Sequence, residues 1–248
     1  MNELNNLNGS KFLVSYSIVS HGQGQLIEAL LADFREVKYL HELIITINIA
    51  EDLDFLAKFN DLPIILIEKL NIKGFGENHN SAFEIATGDI FIIVNPDIRL
   101  PKYDENILLD VFKQEHVGAV APLVLNSSGG VEDSVRRFPT FFRLFCRTVF
   151  RIKKSDYVCN DIIEVDWVAG MFVAFRVKAY KSVNGFDEKY FMYMEDADIA
   201  YRLKKKNWAV KIQPNTSVVH DAQRASKKKL NHLWWHINSA IRYLLKNW

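Results

Sequence analysis

Three groups of residues in this 248-residue chain have types and spacings that could do chemistry. The first is Asn95-Pro96-Asp97, closing the apolar run DIFIIVNPD. A carboxylate there, its backbone restricted by the preceding proline, could hold Mg²⁺ or Mn²⁺ together with substrate phosphates. The plainer alternative is an ordinary Pro-Asp turn. The second group lies in FMYMEDADIAYRL (191–203), where Glu195, Asp196 and Asp198 follow four core-type residues. Acids at a helix start complement the helix dipole, and Asp198 stands four residues before Arg202, which would suffice for a surface helix. The same backbone N–H groups would also keep Asp196 ionised and available as a base. The third is His220 in VVHD. A lone histidine after a strand is usually structural, but an imidazole near Asp97 could complete a metal site.

These side chains need elements to place them. KFLVSYSIVS (11–20), HELIITINIA (41–50), LPIILIEKL (62–70) and DIFIIVNPD (89–97) read as strands, rich in β-branched and aromatic residues. QLIEALLADF (25–34) and EDLDFLAKF (51–59) read as helices, and NIKGFGENHN (71–80) as a loop entering a helical SAFEIATG. Such alternation predicts an α/β fold with a mostly parallel central sheet, and ligands beyond the carboxyl ends of its strands. Farther on, the pattern gives a helix at 104–115, a strand at 117–125 and a turn at 126–130. WVAGMFVAF (167–175) reads as one buried strand, followed by the helix that carries Asp196 and a strand at 209–214. RRFPTFFRLFCRTVF (136–150) reads as a short helix or an aromatic loop.

No internal repeat or linker divides residues 1–226, which are expected to form one domain. Residues 227–248 stand apart. Leu230, Leu233, Trp234, Ile237, Ile241, Leu244, Leu245 and Trp248 fall on a helical stripe with Lys and Arg elsewhere, which predicts a basic amphipathic helix. It could lie on an anionic membrane, or pack on the domain or a second subunit.

Composition narrows the classes. With 49% hydrophobic and 25% charged residues the chain is globular and long enough for a sizeable core. Thirty-one basic against 30 acidic residues leave +1, so no overall field points to nucleic acid. Cys146 and Cys159 lack the spacing of a disulfide framework, zinc site or redox motif. The first residues carry no basic segment followed by an apolar run, and no run approaches the ~18 residues of a membrane span. The expected location is the cytoplasm, with a peripheral contact at the inner face of the membrane open to the last helix.

Taken in order, IVSHG, GFGENHN, NPDI, SVRRFP, DWVAGMFVAFR and NGFDEKYFMYMEDADIAYRL resemble the bacterial glycosyltransferases of family 2, which have the GT-A (nucleotide-diphospho-sugar transferase) fold. The likeness runs from about Val14 to the last helix and is greatest to rhamnosyltransferases of surface-polysaccharide assembly. It implies Asp97 as the holder of a divalent cation, Mg²⁺ or Mn²⁺, on the donor diphosphate, with Asn95 beside it and His220 as a further metal contact. Asp196 is placed like the general base of inverting members, next to Glu195. Ser20, His21, Asn48 and Asn80 match donor-binding positions, and Trp167, Gly170 and Arg137 the sugar and acceptor pocket. The implied partners are a nucleotide sugar, dTDP-β-L-rhamnose foremost, and a lipid-linked or growing glycan.

Two positions depart from the family. Asn48-Ile49 stands where relatives end the second strand in Asp-Asn, and NPD has Asn where many carry a first Asp. Fewer anionic ligands predict a metal site completed by substrate. Two other classes share the strand-helix organisation: a nucleotidyltransferase, disfavoured because no Gly-rich loop with Arg and Lys opens the chain, and a catalytically silent glycan-binding relative.

Overall fold

A computed structural model describes residues 12–68, 71–143, 156–220 and 229–247. Residues 144–150 with Cys146, the 226/227 boundary and Trp248 lie outside the described residues. The parallel half of the sheet is built first. β1 (Val14–Ser20), β2 (Leu40–Ile47), β3 (Ile64–Glu68) and β4 (Ile90–Val94) pair in parallel in the order β3-β2-β1-β4. All five residues of β4, IFIIV, are buried, as expected of a strand covered on both faces. The connections are α1 (Gly24–Phe34), a 3₁₀ turn at Asp54–Phe59 and α2 (Phe75–Ile85).

Beyond β4 the sheet becomes mixed. β5 (Ile98–Lys102), α3 (Glu105–Asp110), β6 (Val117–Asn126), the short β7 (Val135–Arg136), β8 (Ile163–Glu164) and β9 (Trp167–Val168) lead to β10 (Phe172–Arg176). β10 runs antiparallel between β4 and β6. α4 (Val177–Ser182) and α5 (Glu195–Lys205) precede β11 (Ala209–His220), which pairs in parallel with β6 and antiparallel with β5. The full order is β3-β2-β1-β4-β10-β6-β11-β5, and β7 with β9 forms a separate ribbon. This is the expected α/β architecture, with the parallel arrangement confined to the N-terminal half and the β6–β11 pair.

Several elements differ from the sequence expectation. WVAGMFVAF is two strands, because the chain turns at Ala169–Met171 and the Met171 carbonyl accepts from the Asn95 N–H at 2.9 Å. The expected strand at 209–214 continues to His220, so Val218, Val219 and His220 belong to it. β5 and α4 were not expected at all. GFGENHN is not a loop but the first turns of α2. Its Gly76 is needed for close approach, since a Cβ there would stand 2.6 Å from that of Phe186.

α6 (Lys229–Asn247) docks by one face. Tyr243 is fully buried, Ser239 Oγ donates to the Met192 carbonyl at 2.8 Å, and Trp235 stacks obliquely on Phe191 at 4.9 Å. Lys246 Nζ reaches Asp187 at 2.6 Å and Asp198 at 2.8 Å.

Candidate active site

Strand polarity sets the first corner of the site. The parallel strands β1, β2 and β4 end together at Ser20-His21, Asn48 and Asn95-Asp97. Asn48 is buried; its amide nitrogen donates to His21 Nδ1 at 2.8 Å and to the Lys73 carbonyl at 2.9 Å, and its oxygen accepts from the Lys73 N–H at 2.8 Å. Ser20 Oγ accepts from the Gln23 N–H at 3.2 Å. A hollow of about 520 Å³, lined by Gly22, Gln23, Glu51, Asp52 and Phe55 among others, opens beside these ends.

β11 runs antiparallel to β5 with His220 opposite Ile98, which sets the imidazole beside Asp97. His220 Nε2 lies 3.2 Å from Asp97 Oδ2, and its Nδ1 lies 2.9 Å from Glu132 Oε2. The hydrogen bond to Asp97 leads in raising the His220 pKa to about 9, against the opposing effect of burial. His220 could therefore ligate a cation only after releasing a proton. The residues fit a divalent cation in one further respect: Asp97 Oδ1 is buried without a hydrogen-bond partner. Carboxylate oxygen with imidazole nitrogen is an ordinary donor set for Mn²⁺, and carboxylate oxygen for Mg²⁺. Among the described residues no cluster of three or more such side chains forms a complete cage, so the remaining ligands would come from substrate and water.

The second corner is the start of α5. Tyr193 and Met194 both have left-handed backbones, with φ of 71° and 65°, directly before Glu195. Two consecutive non-glycine residues there carry strain of about 1–3 kcal/mol each, the kind that collects at functional sites. Packing holds them: Met194 is buried, and the Tyr193 hydroxyl meets His232 Nδ1 of α6 at 2.7 Å. Asp196 Oδ1 accepts from the Ala197 N–H at 2.8 Å and Oδ2 from the Gly170 N–H at 3.2 Å. The expectation that such N–H groups dominate is corrected here. Burial outweighs them and raises the Asp196 pKa, although Ala197, Gly170 and the charge of Arg136 pull the other way. Glu195 is pushed well above the usual carboxylate range by burial and then by the charge of Asp196, and its Oε2 has no partner. Burial and mutual repulsion thus disfavour a state in which both acids of this pair are charged.

Asp198 behaves differently. It is fully buried, 2.6 Å from Arg202 Nε and 2.8 Å from Lys246 Nζ, and so ties α5 to α6.

Asn80 stands apart from the other expected donor contacts. Its oxygen accepts from the Tyr180 hydroxyl (2.7 Å) and the Phe186 N–H (2.9 Å), while its nitrogen donates to the Phe186 carbonyl and Glu188. It clamps the Asn184-Gly185 turn, where both residues have positive φ, and has little capacity left for a ligand. Trp167 is buried, and its indole N–H donates to the Arg137 carbonyl at 2.9 Å. It supports the strand from below, with the Arg136 guanidinium 5.3 Å from its ring centroid. Arg137 is exposed and lies over Tyr157. Sequence reasoning missed Glu132, Arg136 and His236; the last two interact electrostatically with each other and with Asp196. Arg136 was within reach, since it belongs to SVRRFP.

Known proteins resemble the chain in sequence and in fold. Residues 160–227 match the family model described as the N-terminal domain of galactosyltransferase. The chain is 28% identical over 251 residues to the rhamnosyltransferase WbbL of Escherichia coli K12, covering 94% of this chain and 93% of that one. It is 31% identical over 185 residues to the N-acetylglucosaminyl-diphospho-decaprenol L-rhamnosyltransferase of Mycobacterium tuberculosis, covering 70% of this chain but only 60% of that relative. Its fold superposes on GalNAc-T7 solved with UDP, GalNAc and Mn²⁺, with a TM-score of 0.74 at 12% identity over 97% of this chain and 49% of that one. It also superposes on the mannosyltransferase PcManGT of Pyrobaculum calidifontis, solved with GDP-Man and Mn²⁺, with a TM-score of 0.62 at 20% identity over 93% and 64%. The chain belongs to the glycosyltransferases of GT-A fold. Within that class it is similar to bacterial rhamnosyltransferases.

Proposed function

We propose that the chain transfers L-rhamnose from dTDP-β-L-rhamnose, with inversion, to a hydroxyl of a lipid-linked or growing surface glycan. The observation that carries this reading is the separation of two acidic corners on different elements. Asp97 with His220 lies at the strand ends, and Asp196 lies at a helix start beside the turn that enters β10. The names of the two rhamnosyltransferase relatives support the sugar, and the decaprenol in one of them supports a lipid-linked acceptor.

Asp196 takes the proton of the acceptor hydroxyl as its oxygen bonds to the anomeric carbon and the bond to the diphosphate breaks. Its raised pKa suits this task, because a base works best when its pKa approaches the working pH. General-base assistance is worth about 10²–10⁴ in rate. Glu195 keeps a second negative charge out of the pocket by holding a proton. Asp97 and His220 would hold Mg²⁺ or Mn²⁺, which when bound supplies positive charge to the departing diphosphate. Ser20, His21, Asn48 and Asn95 surround the nucleotide side, while Gly170 and Arg137, supported by Trp167, border the acceptor side.

The reading is tested by offering several nucleotide sugars with Mn²⁺ or Mg²⁺ and following both thermal stabilisation and transfer to a polyprenyl-diphosphate-linked sugar. dTDP-rhamnose should stabilise the fold most, since a ligand that binds only the native state raises its melting temperature. A larger shift and faster transfer with a different donor would overturn the assignment.

A further inference from the structure

The near-zero net charge hides a strong segregation. Residues 136–154 contain seven Lys or Arg and no Asp or Glu, and residues 222–248 contain six and none. Both stretches are aromatic as well as basic. Their described parts also converge on one side of the molecule, since Arg136 interacts electrostatically with His236 of α6 and both face Asp196. Phe138 packs edge-on against Tyr201, whose hydroxyl donates to the Asn247 carbonyl of the same helix.

The inner face of α6 is already satisfied by the domain, but its outer face is not. Leu233, Trp234, Ile237, Ile241 and Leu245 form a continuous exposed stripe, with Trp234 65% and Leu245 83% accessible. Phe141 and Phe142 are 76% and 73% accessible. At the border of the stripe a groove of about 780 Å³ contains Lys189 and Arg242, neither of which forms an ion pair among the described residues, while its one acid, Asp187, is paired with Lys246. No described helix is long and apolar enough to cross a membrane.

We propose that the outer face of α6, together with Phe141 and Phe142, is a docking surface for an anionic lipid bilayer. Apolar side chains with tryptophan beside unpaired cations, on a helix that itself carries no acid, are the chemistry of a helix lying in the headgroup region. A second copy of the chain fits less well, because a two-fold contact would set each basic segment against its twin. Docking in this way also explains the position of the surface. α6 contacts Phe191 and Tyr193, so the helix that meets lipid also borders the turn leading to Asp196.

Flotation with phosphatidylcholine vesicles, with and without phosphatidylglycerol, tests this without donor or acceptor. The wild-type protein should float with the anionic vesicles only, as a monomer before mixing. W234S/L245S and F141S/F142S alter exposed side chains, and each should lower vesicle binding roughly tenfold or more. Equal partitioning to both vesicle types, or unchanged binding by both variants, would overturn the proposal. So would a wild-type dimer that W234S/L245S converts to monomer, which assigns the stripe to a second copy. Transfer to a water-soluble acceptor is followed in parallel. Activity there without vesicle binding sinks the docking surface alone, whereas vesicle binding without transfer of rhamnose leaves it standing.

Discussion

The two acidic corners of the site are built by opposite means. At the ends of β4 and β11, Asp97 sits in a chain of charge, with His220 bridging it to Glu132. That corner is balanced by an opposite charge and keeps one carboxylate oxygen, Asp97 Oδ1, unsatisfied. At the start of α5, no cation among the described residues pairs directly with Asp196; two backbone N–H groups hold it, burial raises its pKa, and the preceding backbone is strained. The first arrangement suits a carboxylate that must stay charged, and the second suits one that must accept a proton. The two aspartates of the proposed site thus differ through surroundings rather than through residue type.

This contrast can be broken at several points, beginning with the largest effect. Asp196→Asn preserves shape and removes the base, so turnover should fall by about 10²–10⁴ with the melting temperature little changed. Asp198, two residues on, should show the reverse. Asp198→Ala removes the carboxylate partner of Arg202 and leaves Lys246 with Asp187 alone, and loss of one partner from a buried pair costs up to about 3–5 kcal/mol, read by denaturant unfolding.

A smaller effect concerns the scaffold shared by both corners. His79 of α2 is buried against β1, its Nδ1 2.8 Å from Ser17 Oγ, and burial lowers its pKa to about 3. The unfolded chain binds a proton near pH 6.5 that the folded chain refuses. Stability from this group is therefore complete above about 6.5 and falls with decreasing pH by about 1.4 kcal/mol per unit toward 3. Stability measured from pH 7 to 4 should show this slope, and His79→Asn should remove it. The smallest effect lies at the far end of α5. Asn207, with φ of 61°, ends that helix in a left-handed cap in which the Trp208 N–H donates to the Leu203 carbonyl at 3.0 Å. Asn207→Gly should be neutral or stabilise by up to about 1 kcal/mol and leave activity alone. A large loss of activity would mean that the special backbone of α5 is not concentrated at its start.

Much of the parallel half was legible because β1, β2 and β4 are short apolar runs bounded by turn residues. The meeting of Asp97 and His220 was anticipated from chain order and family likeness. Glu132 was not, since it lies 88 residues from His220 and is delivered only when β6 turns back on itself. GFGENHN misled because glycines suggest a loop, whereas Gly76 is small to admit Phe186 against a helix. Asn80, expected on a loop near the nucleotide, stands within α2 and clamps the 184–186 turn. The direction of the Asp196 shift was also out of reach. Sequence shows the helix start and its N–H groups, but burial depends on β9, β10 and α6 closing around it.

The central claim is that Asp196 removes a proton while Asp97 secures the donor, and it is tested most directly by measuring donor affinity and turnover on the same preparations. Calorimetric titration of dTDP-rhamnose with Mn²⁺ into Asp196→Asn should give nearly wild-type affinity although transfer is lost, whereas Asp97→Ala should bind the donor weakly. Near-normal turnover by Asp196→Asn, or unchanged donor and metal binding by Asp97→Ala, would contradict the division of labour between the two corners.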